Sequence, residues 1–352
     1  MIDYIVVGLG VAGISFCEQL DKNGKTYKVI SDDSQVSSLV AGGMYNPVIL
    51  KRFTMAWNAD LQLQPALSFY KNLEQKFNIQ LDYKIPVLRK FASIIEQNRW
   101  FEASDKPRLK AFLNTKIIDN STEEIDAPFG WGEVLHTGRI DLHQLIKTYR
   151  EYLISNERLI KQSFDFDALK VHADYIEYGE IKAHRLLFAT GFGMRKNPYF
   201  NYLPLNGTKG ELLTIKVPGL KLSSIVKSSV FIIPLENDLF RVGATYENFD
   251  KTNNPTEKGK DELLQKLNTF LNCEYEIVDH KAGVRPTVRD RRPLAGVHPE
   301  QKNLFVLNGF GSRGVLVAPT ISEQLYNYIE NDKELPKEIN IERFHKIFAK
   351  NS

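Results

Sequence analysis

Ile2-Asp3-Tyr4-Ile5-Val6-Val7-Gly8-Leu9-Gly10-Val11-Ala12-Gly13 decides how this chain begins to fold. Ile2 to Val7 is a short apolar run closed by glycine, the pattern of a buried strand, and from Val11 to Leu20 the apolar residues recur at helical spacing until Gly24 ends the unit. Tyr27 to Ser31 reads as the next strand, so the chain opens as strand, turn, helix, strand. Gly8, Gly10 and Gly13 suit a turn that binds a dinucleotide. One glycine permits the tight turn, one lets the backbone approach a pyrophosphate, and one packs the helix closely, while the helix N-terminus offers free N–H groups and a positive dipole end. Val11 and Ala12 belong to that first helical turn and to the same candidate site. Asp32 and Asp33 follow at about the 20-residue distance at which a carboxylate for a ribose hydroxyl is expected; the strand register does not choose between them.

The rest of the composition is that of an ordinary globular chain. Of 352 residues, 43% are apolar and 25% charged, enough to bury a core and too balanced for disorder. The net charge of +3 does not argue for nucleic acid or an anionic membrane. Cys17 and Cys273 are too few for a disulfide framework, and with the seven histidines they form no metal-like spacing, so no metal is expected. His136, His143 and His298 read as surface or capping residues rather than catalysts. Met1 runs directly into the first strand with no leader pattern, and no stretch approaches the roughly 20 apolar residues of a membrane span. The expectation is a soluble, cytoplasmic protein.

Later segments extend the parallel-sheet pattern. Arg185-Leu186-Leu187-Phe188-Ala189-Thr190-Gly191 is a strand ending in small residues, Leu304 to Gly309 repeats the idea, and Val315 to Ile329 reads as a helix. Between them, residues 62–114 hold a helix from Pro65 to Phe77, and residues 205–247 hold strands such as Val230 to Pro234 and Phe240-Arg241-Val242-Gly243. The fold class is therefore α/β: a Rossmann-type dinucleotide domain interleaved with a second, α+β domain on a mostly antiparallel sheet. Two further stretches are rich in small residues. Ala41-Gly42-Gly43-Met44 lies in Ser37 to Pro47, and Gly309-Phe310-Gly311-Ser312-Arg313-Gly314 precedes the last long helix. Both allow close backbone approach to a ligand.

Taken in order, Gly8-x-Gly10-x-x-Gly13, Ala41-Gly42-Gly43-Met44, Gly138-Arg139-Ile140-Asp141-Leu142, Ala189-Thr190-Gly191, Lys209-Gly210-Glu211-Leu212-Leu213, Val242-Gly243-Ala244-Thr245, Gly283-Val284-Arg285-Pro286-Thr287-x-x-Asp290-x-x-Pro293-x-x-Gly296 and Asn308-Gly309-Phe310-Gly311-Ser312-Arg313-Gly314 resemble the D-amino-acid-oxidase-type flavoprotein superfamily, over nearly the whole chain. The resemblance implies a non-covalent FAD, because Cys17 and Cys273 lie away from the family's attachment positions and no histidine sits in the expected early loop. It implies an FAD-binding domain of residues 1–50, 135–200 and 275–352 and a substrate domain of residues 51–134 and 201–274. Gly309, Gly311, Ser312, Arg313, Gly314 and Val315 are expected beside the flavin ring, where a helix N-terminus stabilises the charge of the reduced flavin. Thr190 and Gly191 are expected on the cofactor as well.

Three residues carry the expected chemistry. Arg285 matches a position that often clamps a substrate carboxylate through two parallel charge-assisted donors, the alternative being a structural pair with Asp290 or another acid. Arg313 faces flavin or substrate from inside the glycine turn, or is a surface charge. Phe231 stands where some relatives carry a substrate-binding tyrosine, and Tyr246 either takes that role or packs. The resemblance implies oxidation of the C–N bond of an amino acid or N-substituted glycine, with hydride passing to flavin N5 and an electron acceptor, dioxygen or another carrier, that the sequence does not choose. The string Gly311-Ser312-Arg313-Gly314 is similar to the flavin domain of the bifunctional enzyme acting on the tRNA wobble uridine. The alternative is therefore oxidation of a carboxymethylaminomethyl uridine, with tRNA as the less favoured partner. Arg289-Asp290-Arg291-Arg292 either touches RNA phosphate or forms a solvated face.

Overall fold

The computed structural model describes every residue except Asp33, Ser121 and Ser352. The expected ribose carboxylate Asp33 therefore lies outside the described residues. The chain forms two compact units: Met1–Leu39, Leu142–Thr208 and Val284–Ser352 make the first, and Val40–Asp141 and Lys209–Gly283 the second.

The first unit is built on parallel strands. Strands β1 (Ile2–Val7), β2 (Tyr27–Ile30), β3 (Leu159–Ile160), β4 (Ile181–Phe188) and β5 (Leu304–Asn308) stand in the order β3-β2-β1-β4-β5. Tyr4 to Val7 are all buried, as are all five residues of β5, which is why these strands read as continuous apolar runs: both faces are covered. One face packs Ile5, Val7, Leu186, Phe188 and Val306 against Phe200 and Leu203. On the other, Tyr4 meets Phe16 of helix α1 (Val11–Lys22) edge-on at 5.6 Å, and Phe16 meets Tyr326 of helix α2 (Gly314–Glu330) at 6.4 Å. Glu330, at the end of α2, accepts from the Tyr4 hydroxyl and Lys25 and pairs with Arg185 at 2.8 Å, pinning that helix to β1 and β4. Burial pushes the Glu330 carboxyl up, but the hydrogen bonds of Lys25 and Tyr4 and the charge of Arg185 more than offset it and hold the group ionised.

The second unit carries a sheet in the order Glu276–Arg285, Thr208–Lys216, Leu239–Gly243, Phe231–Pro234, Ile225–Lys227, Val87–Lys90, Trp131–Val134 and Leu113–Ile118. Its pairs are mostly antiparallel, and Val87–Lys90 runs parallel to Ile225–Lys227. Alternation decides its faces: Phe240 and Val242 enter a core with Leu213, Ile215, Ile232, Leu263 and Leu267, so Arg241 points to the opposite face beside its register partners Thr214 and Ile233. A smaller sheet joins Met44–Tyr45, Gly138–Ile140 and Asp82–Tyr83.

Lys209 is completely buried in this unit, and its ammonium donates to the Asp250 carboxylate and the Asn254 carbonyl. Glu211, 3.6 Å from Lys209, accepts from Thr256 N at 2.9 Å and Thr256 Oγ1 at 2.8 Å, and His280 Nε2 lies 2.8 Å away. These groups fasten the segment between residues 244 and 256 from within. The same segment leaves Tyr246 69% and Phe249 92% exposed, so Tyr246 is no core-packing residue.

Two expectations are corrected. The helix expected from Pro65 runs Ala59–Phe77 with Pro65 inside it. An interior proline costs about 3 kcal/mol, and burial of Ala59, Gln62, Leu63, Ala66, Tyr70 and Leu73 along one stripe outweighs it. Of the two readings of His298, surface or cap, the surface one is set aside and the cap holds: it is 4% exposed, packs edge-on against Phe200 at 5.5 Å, and caps a turn by accepting from Glu300 N and Gln301 N.

The buried charges generate two expectations. Lys209→Met leaves Glu211 and Asp250 without their buried cation and is expected to lower the denaturant-measured stability by about 3–5 kcal/mol. Asp250, held down to about 2 by the Lys209 hydrogen bond first and those of Thr252 next, has a folded pKa below its ordinary value. Its contribution is therefore complete above that ordinary value and is lost as pH falls towards about 2. Paired thermal melts are expected to show the advantage of the wild type over Asp250→Asn intact near neutrality and shrinking only below about pH 4.

Candidate functional site

The carboxyl ends of the parallel strands assemble the candidate cofactor site in the first unit. Gly8 N donates to Ile30 O at 2.9 Å and Ala189 N to Val7 O at 2.8 Å, so the ends of β1, β2 and β4 are level. A Cβ on Gly8, whose φ is +103°, would stand 2.5 Å from Ala189 O, and one on Gly13 would stand 2.0 Å from Gly8 O. No side chain fits at either place. Val11 and Ala12 are buried in the first turn of α1, and Val11 N donates to Ser38 Oγ at 3.4 Å. Gly10 caps α1 without a side-chain bond, and beside it, among the described residues, Ser38 Oγ alone comes within 4 Å of an added Cβ, at 3.2 Å.

The other expected residues of this unit converge on the same edge. Asn308, at the end of β5, donates from Nδ2 to Gly191 O at 2.9 Å and accepts Gly309 N at 2.8 Å, which joins the Thr190-Gly191 turn to the C-terminal glycine turn. Gln35 Oε1 accepts Gly193 N at 3.1 Å, joining the segment after β2 to the same turn. Gly314 lies so near Val11 that an added Cβ would meet Val11 Cγ1 at 3.0 Å; the N-termini of α1 and α2 are neighbours. Gly311, at φ +56°, has nothing within 4 Å of an added Cβ; Ser312 is exposed, Arg313 is half-buried at the N-cap of α2, and Val315 is buried. Thr190 Oγ1 is buried without a hydrogen-bond partner. Asp32 is held by Ser163 Oγ at 2.6 Å and by Ser34 N and Oγ; burial pushes its pKa up, and these hydrogen bonds more than offset that, keeping it ionised.

Two adjacent helix N-termini, open backbone at Gly10 and Gly311, and an orphaned hydroxyl at Thr190 fit FAD: free N–H groups and dipole ends for anionic groups, and a donor or acceptor for a polar edge. Arg285 ends the Glu276–Arg285 strand, and the next residue, Pro286, accepts Gly311 N at 3.0 Å. Asp290, the expected structural alternative for Arg285, is engaged by Arg343 Nε at 3.0 Å and Arg292 N at 3.0 Å.

Ala41, Gly42, Gly43 and Met44 lie in the second unit. Gly43, at φ +68°, would place a Cβ 1.9 Å from Ile140 O, and Met44 is the register partner of Arg139. Arg241 Nη1 donates to Ala41 O at 3.3 Å. Tyr246 belongs to this unit too. Gln35 and Ser38 were not singled out by sequence reasoning, and Asn308, Arg139 and Arg241 stood in quoted stretches without a role of their own. For Arg241 a signal existed, since a charge in the apolar alternation Leu239-Phe240-Arg241-Val242-Gly243 points away from the core face; Gln35 and Ser38 carry none.

The family model for FAD-dependent oxidoreductases, DAO, matches residues 3–327. The glycine oxidase of Bacillus subtilis is 26% identical over 174 residues, 47% of this chain and 45% of that protein. The tRNA 5-methylaminomethyl-2-thiouridine biosynthesis bifunctional protein MnmC of Marinobacter nauticus is 21% identical over 92% of this chain and 55% of its own length. The chain thus spans about half the length of these curated relatives. The crystal structure of glycine oxidase from Bacillus cereus superimposes with a TM-score of 0.78 at 18% identity, covering 95% of this chain and 96% of that one.

Gly13→Ala forces a methyl into the Gly8 carbonyl. It is expected to cost at least about 1–3 kcal/mol and to lower the flavin bound per chain, read from the ratio of visible to ultraviolet absorbance. Gly24→Ala, with nothing within 4 Å but φ +65°, is the control: a strained turn away from the strand edge, with flavin content unchanged.

Proposed function

The chain belongs to the DAO family of FAD-dependent oxidoreductases, and we propose that it oxidises the C–N bond of an amino acid or an N-substituted glycine. The observation that carries this reading is the 3.0 Å hydrogen bond from Gly311 N to Pro286 O, which ties the Arg285 segment to the glycine turn expected at the flavin ring. FAD, when bound, supplies the two-electron acceptor. Arg285 holds the substrate carboxylate by two parallel donors and so orients the carbon next to nitrogen. The N-terminus of α2, with Arg313 at its cap, favours negative charge at the acceptor. The amine reacts neutral, gives up its proton to water on oxidation, and the imine hydrolyses in water. No side-chain acid or base is required. Glycine oxidase similarity supports the amino-acid class, and dioxygen or another carrier completes the cycle.

A second reading, oxidation of a carboxymethylaminomethyl uridine in tRNA, is favoured by one observation: similarity to the Marinobacter MnmC protein extends over 92% of the chain, against 47% for the Bacillus subtilis glycine oxidase. That substituent is itself an N-substituted glycine, so Arg285 keeps its role.

Anaerobic bleaching of the flavin separates the two. Glycine, sarcosine, proline or a D-amino acid is expected to bleach it, and bleaching by tRNA or the modified nucleoside alone, lost at a few hundred millimolar salt for tRNA, replaces the first reading by the second. With the active amine, Arg285→Ala is expected to lower kcat/KM by about 10- to 150-fold, the loss of a charged hydrogen-bond pair, with Arg285→Lys in between. An unchanged kcat/KM in Arg285→Ala removes the carboxylate clamp.

A further inference from the structure

The small sheet of the second unit has two faces, and register divides its side chains between them. Its middle strand, Gly138–Ile140, sets Arg139 opposite both Met44 and Tyr83, Gly138 opposite Tyr45, and Ile140 opposite Asp82. Side chains alternate across a sheet, so Met44, Arg139 and Tyr83 share one face and Tyr45 and Asp82 the other. On the first face the Arg139 guanidinium stacks on the Tyr83 ring at 4.5 Å; on the second the Tyr45 hydroxyl donates to Asp82 Oδ1 at 2.7 Å. Gly138 permits the second contact, since an added Cβ there would stand 2.3 Å from the Tyr45 hydroxyl oxygen.

The Tyr45 face borders a cavity of about 810 Å³ that lies wholly within the second unit, against the helix Ala59–Phe77. That is room for a small molecule. Leu67, Pro86, Val134 and Leu135 supply apolar wall, and charges of both signs line it: Glu74 and Asp82, Lys71 and Lys84. Glu74 Oε1 accepts Leu81 N at 2.7 Å and Asp82 N at 2.8 Å, which holds the two acids near each other. Tyr45 is 2% exposed, and its neutral phenol is the one side chain that bonds the Asp82 carboxylate among the described residues. Burial pushes the Asp82 carboxyl above its ordinary range and the charge of Glu74 adds to this, more than the Tyr45 hydrogen bond and the charge of Lys84 offset. Lys71 and Lys84 are exposed, and among the described residues neither has a carboxylate within ion-pair distance.

Opposite charges are thus held in one cavity without neutralising each other. A ligand that is only a cation meets two lysines there, and one that is only an anion meets two carboxylates. A ligand with both signs satisfies both ends through charge-assisted hydrogen bonds, with its apolar body on Leu67 and Val134. We propose that this cavity binds a zwitterionic amino acid, its ammonium on Asp82 and its carboxylate on Lys84 and Lys71. The binding is non-covalent, lies on the sheet face opposite Met44 and Arg139, and does not rest on the reading of Arg285.

The probe is cycloleucine, an amino acid with no hydrogen on the carbon next to nitrogen and so closed to C–N oxidation. It is titrated calorimetrically into the flavin-loaded protein, with cyclopentylamine and cyclopentanecarboxylate as single-charge controls. Wild type and Arg285→Ala are expected to bind it alike, and both controls to bind more weakly. Asp82→Asn, which keeps an acceptor for Tyr45, and Lys84→Met, at an exposed position, are each expected to weaken binding at least about tenfold, with flavin content and melting temperature unchanged. Absence of binding to wild type overturns the proposal, as does unchanged affinity in Asp82→Asn or Lys84→Met. Loss of binding in Arg285→Ala overturns it by assigning the amino acid to that arginine, and cyclopentylamine binding as tightly as cycloleucine overturns the two-charge reading. Failure of the Arg285 kinetics leaves this titration untouched, so the two readings fail separately.

Discussion

Backbone meets backbone at Gly8 and Gly13, and the first unit depends on it. With a Cβ at Gly13 the helix α1 would have to lift off the Gly8 carbonyl from a separation of 2.0 Å, and with one at Gly8 the end of β1 would part from Ala189. Because both are glycine, β1, β2 and β4 end level, and the N-terminus of α1 opens at the edge where they stop. The same edge collects Asn308 and Gln35, two side chains that convert separate turns into one surface by bonding to Gly191 O, Gly309 N and Gly193 N. The neighbouring N-terminus of α2 then adds a second dipole end at no cost in charged side chains.

The second unit handles buried charge in two contrasting ways. Around Lys209 the charges are matched: a carboxylate and a carbonyl for the ammonium, a threonine cap for Glu211, and His280 Nε2 2.8 Å from its carboxylate. Such a network holds a loop and asks for nothing from outside. Around Arg139 and Arg241 the matching is looser: Arg139 pairs with Asp141, Asp141 and Asp279 act on Arg241 from a distance, and Arg139 Nε has no acceptor among the described residues.

The strand-turn-helix start, the late helix and the strands Val230 to Pro234 and Phe240 to Gly243 could be read from the chain because each rests on local spacing. The first helix and the last long helix moved by a residue or two at their ends, while the strand read from Arg185 begins at Ile181. The helix expected from Pro65 begins at Ala59 instead, because the buried stripe from Ala59 to Leu73 carries it through the proline. For His298 surface and cap stayed open, because nothing in its neighbours announces the aromatic ring set of Phe200 and Phe348 that encloses it. Of the cofactor edge, the glycines were legible and the side-chain bonds that tie them together were not: Gln35 in a loop has no pattern of its own, and the end of a strand does not say which turn Asn308 bonds.

What the sequence by itself determined was the kind of fold, the family and the cofactor, because glycine spacing and apolar periodicity are short-range properties that survive in one dimension. What only the tertiary structure decided was which charges share a neighbourhood. Arg241 faces away from the core because its strand holds one register against Thr214 and Ile233, and a one-residue slip would exchange it with Val242. Arg139 reaches the same turn from a different sheet, through the pairing of Gly138–Ile140 with Met44–Tyr45. Their meeting is set by register and packing between distant segments, which no window along the chain contains.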